Sequence, residues 1–216
     1  MAERSSWLFR LKFYLYLLAL RWRWLASFLA DRGQNFLKVP DTNLGNVDYW
    51  RRLEDLDEMA HYAVIVGYLR RFVSGGSVLD VGCGRGLLAP DIAPFLGRYL
   101  GIDRDPASIK VATDLAIANA SFVAAEADTY VPQTTFDAIV FNESLYYLRD
   151  PLGILRRYAD CLTPGGVIVA SIAAFRPALE LIHMTGSVCE FVDQTVVMNE
   201  RGIVWAIQLL RPRRSA

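Results

Sequence analysis

Residues 78–86 read Val78-Leu79-Asp80-Val81-Gly82-Cys83-Gly84-Arg85-Gly86, and this stretch decides the fold. A short apolar run carries one acid and then opens into three glycines at alternate positions. Glycine lets a backbone turn sharply and pass close to a ligand with no Cβ in the way. Such a turn joins a strand to a helix, so residues 77–81 are predicted as a strand. Residues 86–96, with two prolines, are predicted as the helix that follows.

Working outward, the chain alternates in the same manner. Apolar strands are expected at 98–102, 121–125, 136–141 and 166–172, the last after Thr163-Pro164-Gly165-Gly166. Helices are expected at 106–118, with proline in the first turn, and at 151–162. Strands that are apolar throughout and separated by helices imply a parallel sheet buried on both faces. The end differs. Residues 190–198 and 203–210 flank Asn199-Glu200-Arg201-Gly202, the pattern of a β-hairpin. The expected class is α/β, a doubly wound, mostly parallel sheet closed by an antiparallel C-terminal hairpin, with helices before it at 5–30 and 47–73. Residues 1–45 are read as an N-terminal helical extension and loop, and 46–216 as the α/β domain.

Acids stand at the strand ends. The second strand ends Gly101-Ile102-Asp103, the third is followed by Glu126-Ala127-Asp128, and the fourth ends Asn142-Glu143. An acid after the second strand suits the two hydroxyls of a ribose, and ligands of open α/β sheets bind at this carboxyl edge. Three acids around one glycine turn suit an adenosine and repel a diphosphate. The turn also lacks the third glycine of Gly-x-Gly-x-x-Gly and the Lys-Ser/Thr of a phosphate loop, which argues against a dehydrogenase or an ATPase.

Residues 78–172 resemble the class I S-adenosylmethionine-dependent methyltransferases, which share a Rossmann-like fold. The resemblance rests on Asp80–Gly86, Gly101-Ile102-Asp103, Ala127-Asp128, Phe136-Asp137-Ala138-Ile139-Val140 and Leu162-Thr163-Pro164-Gly165-Gly166, in that order. Asn142-Glu143-Ser144-Leu145-Tyr146-Tyr147-Leu148 and Gly202-Ile203-Val204-Trp205 are similar, over a shorter span, to small nodulation-type N-methyltransferases. The resemblance implies S-adenosyl-L-methionine as cofactor. It implies that Asp80, Gly82, Cys83 and Gly84 hold its amino-acid end, and that Asp103 binds the ribose. Arg104 would lie against the adenine, Asp128 and Thr129 would bind its amino edge, and Asn142 would flank the sulfonium.

Methyl transfer asks chiefly for alignment and exclusion of water. A base is needed where the acceptor is protonated or weakly nucleophilic. Glu143, Tyr146, Tyr147 and His183 are the candidates, each with a plainer role: Glu143 as a helix cap, the tyrosines as packing, His183 as a surface or core residue. His61 and Tyr62 either close over the cofactor or pack their helix. Cys83 has no partner to activate it.

Composition narrows the partners. The chain has 216 residues, 53% of them hydrophobic, and a formal net charge of zero, so no global field draws it to nucleic acid. Three scattered cysteines give no disulfide framework, and two histidines without a Cys-x-x-Cys pair give no metal site. A cytoplasmic enzyme, possible contact with a membrane surface included, is the expected setting.

Residues 5–30 carry a separate signal. Arg10 with Arg21 and Lys12 with Arg23 form two basic lines on a helix, with an apolar face on each side. The uncharged run 13–20 is far short of the roughly 20 residues that span a bilayer. A second apolar face wants a cover, so the segment is read as a lid, a homodimer element or a helix lying in a membrane interface. Three functions are therefore carried forward: methylation of an amine or hydroxyl on a small molecule, methylation of a lipid-like acceptor at a membrane surface, and a non-catalytic scaffold.

Overall fold

The computed structural model describes Tyr14, Leu15, Leu18 and residues 58–174, 176–199 and 203–213. The rest of residues 1–57, and with it the helix expected at 5–30 and the start of the one expected at 47–73, lies outside the described residues. Helix α1 (Met59–Phe72) precedes a seven-stranded sheet. Along the chain follow β1 (Ser77–Val81), α2 (Ala89–Ile92), β2 (Arg98–Asp103), α3 (Pro106–Asp114), β3 (Ala120–Ala124) and β4 (Phe136–Asn142). Then come α4 (Pro151–Ala159), β5 (Leu162–Ala173), α5 (Arg176–Met184), β6 (Cys189–Met198) and β7 (Val204–Pro212).

The strands lie in the order β3-β2-β1-β4-β5-β7-β6. The pairs from β3 to β5 are parallel, and β7 is antiparallel to both neighbours. This is the expected doubly wound sheet with a C-terminal hairpin. The chain leaves β1 toward β2 and β3 on one side and returns to β4 on the other, so a crevice opens between the carboxyl ends of β1 and β4.

Side-chain alternation along the strands sorts the core into two layers. Leu79, Val81, Ile139 and Phe141 pack with α4 and α5, whereas Val78, Ala138, Val140, Trp205 and Ile207 pack with Ile65 and Leu69 of α1. The same period of two sends Asp80 and Asn142 to the α1 side. That is why this helix borders the site.

Several expected boundaries shift. The helix expected at 86–96 is only α2, continued by a 3₁₀ turn at Ala93–Phe95. Pro90 and Pro94 each sit in a first turn, and a proline inside a longer helix would remove a backbone bond and clash with the preceding turn. Helix α3 stops at Asp114, with Ala116 at φ 52° beyond it, short of the expected 118. Helix α4 ends at Ala159 rather than 162. Strand β5 starts earlier than expected, because Leu162 already pairs with Phe136. An irregularity between Phe136 and Ala138 absorbs the Pro164-Gly165-Gly166 turn. Asp137 pins this corner, accepting from Ser77 N–H at 2.8 Å and from Thr163 Oγ1 at 2.8 Å.

Candidate active site

The glycine turn spends its donors internally. The N–H groups of Gly82 and Cys83 both donate to the Ile102 carbonyl, at 2.8 and 3.0 Å, and Gly86 N–H donates to the Cys83 carbonyl at 2.9 Å. Gly84 N–H donates to Asp103 Oδ2 at 2.9 Å. A phosphate needs such donors free. What this turn offers is an acceptor. Asp80 is 2% exposed; its Oδ2 accepts from the Tyr99 hydroxyl at 2.6 Å, and its Oδ1 is buried without a partner. Burial pushes the Asp80 carboxyl up to about 7, against the Tyr99 hydrogen bond, which favours the charged form. A buried carboxylate oxygen without a partner matches an ammonium group.

Two glycines are required by geometry. Gly82 has φ 80°, and a Cβ there would lie 2.5 Å from Ser144 Cβ. Ser144 in turn donates to the Val81 carbonyl and ties the start of the β4 loop to β1. Gly84 has φ 53° and open space where a Cβ would stand. Cys83 points inward: its Sγ would lie 2.8 Å from a Cβ at Gly101, and burial pushes its thiol well above the ordinary range. It is a packing residue whose backbone shapes the turn.

Asp103 ends β2 with both oxygens oriented, Oδ2 by Gly84 N–H and Oδ1 by Asp105 N–H at 2.9 Å. Each oxygen keeps a further lone pair for a ribose hydroxyl. Asp103→Ala is expected to weaken S-adenosylmethionine binding by about 1–3 kcal/mol, the scale of charge-assisted hydrogen bonds. Titration calorimetry checks this, and unchanged affinity would remove the ribose role. Arg104 is exposed just past the strand.

Asp128 is half-buried, and its Oδ1 accepts from Arg149 N–H at 3.4 Å. The exposed Thr129 bonds back to the Glu126 carbonyl through its N–H, at 3.1 Å. Sequence reasoning missed the group that sets this loop. The Arg157 guanidinium, projecting from α4, donates to the carbonyls of Ala127 and Asp128. Nothing local in the sequence links an arginine on a helix to that loop.

On the other side of the crevice, α1 supplies His61 and Tyr62. His61 is 1% exposed and stacks on both Tyr62, at 4.6 Å, and Trp205, at 4.8 Å. Burial pushes its imidazole down to about 3, so the ring is neutral, and the Asn142 amide adjoins both His61 and Tyr62. Neither His61 ring nitrogen nor Asn142 Oδ1 has a well-formed hydrogen bond. Asp80 Oδ1, Asn142 Oδ1 and the His61 nitrogens are thus buried polar atoms without a hydrogen bond, the kind of capacity that a bound polar ligand fills.

Glu143 follows β4 at φ 54°, a left-handed conformation rare outside glycine. Its Oε2 accepts from the Tyr146 hydroxyl at 2.8 Å and its Oε1 from Ser171 at 3.2 Å. It is not a helix cap: the 3₁₀ turn Leu145–Tyr147 starts from Ser144 without a side-chain cap. Tyr147 is 42% exposed, with its ring 4.5 Å from that of Tyr146. His183 lies half-buried in the last turn of α5, and the hydrogen bonds that hold Glu143 come from elsewhere.

The sheet order, the glycine turn after β1 and the acids at the ends of β1 and β2 define a class I methyltransferase fold. The residues suit its cofactor: an acceptor for the ammonium at Asp80, a ribose acid at Asp103, and open space over Gly84. Comparison with known proteins agrees. Residues 64–187, more than half of the chain, match the family described as a methyltransferase domain. The chain therefore belongs to the methyltransferase domain family, and S-adenosylmethionine is its cofactor.

Among its relatives is aklanonic acid methyltransferase DauC of Streptomyces sp. (strain C5), 38% identical over 112 residues, which cover 48% of this chain and 51% of that one. Another is the ubiquinone biosynthesis O-methyltransferase of Xanthomonas campestris pv. campestris, 33% identical over 123 residues, 52% of this chain and 49% of that one. The chain spans about half the length of these curated relatives. The N-methyltransferase NodS of Bradyrhizobium japonicum WM9, solved with S-adenosyl-l-homocysteine, shares the fold. Its TM-score is 0.68 at 21% identity, covering 79% of this chain and 95% of NodS. Among the described residues, no helix is long and apolar enough to cross a membrane.

Proposed function

We propose that this chain transfers the methyl group of S-adenosylmethionine to a hydroxyl or amine of a small-molecule acceptor. One observation carries the reading: the buried, unpartnered Asp80 Oδ1 lies beside a turn in which the N–H groups of Gly82, Cys83, Gly84 and Gly86 are already spent. That arrangement receives a cation and not a phosphate. The names of the relatives, an aklanonic acid methyltransferase and a ubiquinone biosynthesis O-methyltransferase, support a small acceptor.

The cofactor, when bound, supplies a methyl group made electrophilic by a positive sulfur. The chain's own residues do the rest. Asp80 holds the amino-acid end of the ligand and Asp103 its ribose, Arg157 holds the loop that carries Asp128, and His61 with Tyr62 covers the α1 side. Glu143, Tyr146 and Tyr147 stand beyond Asn142, on the side from which an acceptor approaches. Alignment of acceptor and methyl group is the main source of rate.

Calorimetry with S-adenosylmethionine, NAD and ATP tests the first half: only the first should bind. A screen of small acceptors with labelled cofactor tests the second. In such an assay, Tyr147→Ala is expected to lower kcat by roughly tenfold or more while cofactor affinity holds, since misalignment acts on the transition state. An unchanged kcat would make Tyr147 a surface aromatic with no acceptor role. Labelled methyl appearing in no acceptor, despite cofactor binding, would favour the scaffold.

A further inference from the structure

The Glu143 carboxyl group is built into the site with more care than packing requires. It follows Asn142 directly, in a left-handed conformation that strains any residue except glycine. Its two oxygens are held from different elements, by Tyr146 in the 3₁₀ turn and Ser171 in β5, with the Ala173 backbone also donating. Backbone strain that the surroundings hold in place is a mark of functional positions.

We propose that Glu143 is the base that removes a proton from the acceptor, and that the acceptor group is therefore a weakly acidic hydroxyl, such as a phenol, and not a neutral amine. This deepens, and rests on, the methyltransferase reading above.

The chemistry separates the two acceptor classes. A neutral amine already presents a lone pair and needs no base for attack. A hydroxyl oxygen is a poor nucleophile until its proton leaves. In the balanced step, the hydroxyl proton passes to a Glu143 oxygen and the acceptor oxygen forms the new bond to the methyl carbon. The bond from methyl carbon to sulfur breaks with its electron pair going to sulfur, and the proton on Glu143 is released to water afterwards.

The surroundings set when Glu143 can accept that proton. Burial pushes its carboxyl up to about 8, the nearby Glu58 carboxylate pushes the same way, and the Tyr146, Ser171 and Ala173 hydrogen bonds oppose both. Tyr62 from α1 and Tyr147 also lie within its electrostatic reach. A base is most useful when it titrates near the working pH.

The test uses the full chain with S-adenosyl-l-homocysteine and an infrared pH titration. A protonated-carboxyl band should vanish with a midpoint near 8 and be missing from Glu143→Gln. A Glu143 that is still protonated at the pH of maximal turnover overturns the proposal. In turnover, a panel of phenols and matched anilines with labelled cofactor should show methylation of hydroxyls. Glu143→Gln should lose roughly 10²–10⁴-fold in kcat. Its affinity for S-adenosyl-l-homocysteine, read by calorimetry, should stay within about threefold, which shows that the variant is folded. Methylation confined to anilines, no hydroxyl methylated by a chain that binds the cofactor, or a Glu143→Gln variant of full activity each overturns it. A parent chain that binds no S-adenosylmethionine overturns the methyltransferase reading itself, and this proposal with it.

Discussion

Asp80→Asn is expected to weaken S-adenosylmethionine binding by about 2–5 kcal/mol, the cost of leaving one member of a buried, hydrogen-bonded charge pair alone. The substitution keeps the size of the side chain and a hydrogen-bonding partner for Tyr99, which donates to Asp80 Oδ2 at 2.6 Å. It removes the charge that the cofactor's ammonium would meet at Oδ1. The parent should show a pH dependence that the variant lacks. The Asp80 carboxyl in the free protein is pushed up to about 7, so below that pH a proton must leave before the ammonium can pair. Affinity should fall by up to about tenfold per pH unit below 7 in the parent, and far less in Asp80→Asn.

The stability of the free protein should run the other way. Asp80 and Glu143 have folded-state pKa values raised to about 7 and about 8, so the fold holds their protons more tightly than the unfolded chain does. That contribution is fully present below the ordinary carboxyl pKa and is lost as pH rises, through about 7 for Asp80 and about 8 for Glu143. Thermal unfolding between pH 4 and pH 9, with and without cofactor, checks both signs. A binding affinity for Asp80→Asn equal to that of the parent would dismiss the ammonium assignment.

Trp205→Ala is the largest stability change expected, about 3–5 kcal/mol for emptying a buried aromatic site. Trp205 is 2% exposed on β7, where it pairs with Ala173 of β5 and Val197 of β6. Its indole stacks on His61 and so fastens α1 to the sheet. For a chain of this size, Tm should fall by about 6–20 °C. Cofactor affinity should fall as well, because α1 carries Tyr62 and His61 at the crevice. Trp205→Phe should recover much of both losses. A Tm within about 3 °C of the parent would mean that α1 is held mainly by Ile65 and Leu69 instead.

Much of this architecture is legible along the chain. The turn at Asp80–Gly86, the Asp103 and Asp128 positions and the hairpin around Asn199 are local patterns, and local patterns have local causes. Glycine is needed where φ is positive. Asn199 Oδ1 accepts from Ile203 N–H at 3.0 Å, within the turn that the sequence marks. The helix expected at 86–96 breaks for a local reason too, since Pro90 and Pro94 each open a new turn.

What the residues determine by themselves is the alternation of strands and helices, the face each strand side chain takes, and the acids set along one edge of the sheet. The tertiary structure alone decides who meets whom across that edge. Strand order and register bring Tyr99 to Asp80, Ser144 to Val81, Ser171 to Glu143, and Trp205 to His61. It likewise brings Arg157 to the Asp128 loop and buries Glu143 enough to push its carboxyl up to about 8. Periodicity along a chain reports burial of a face. It carries no record of the partner on that face, because the partner is fixed by hydrogen-bond register between segments far apart in sequence.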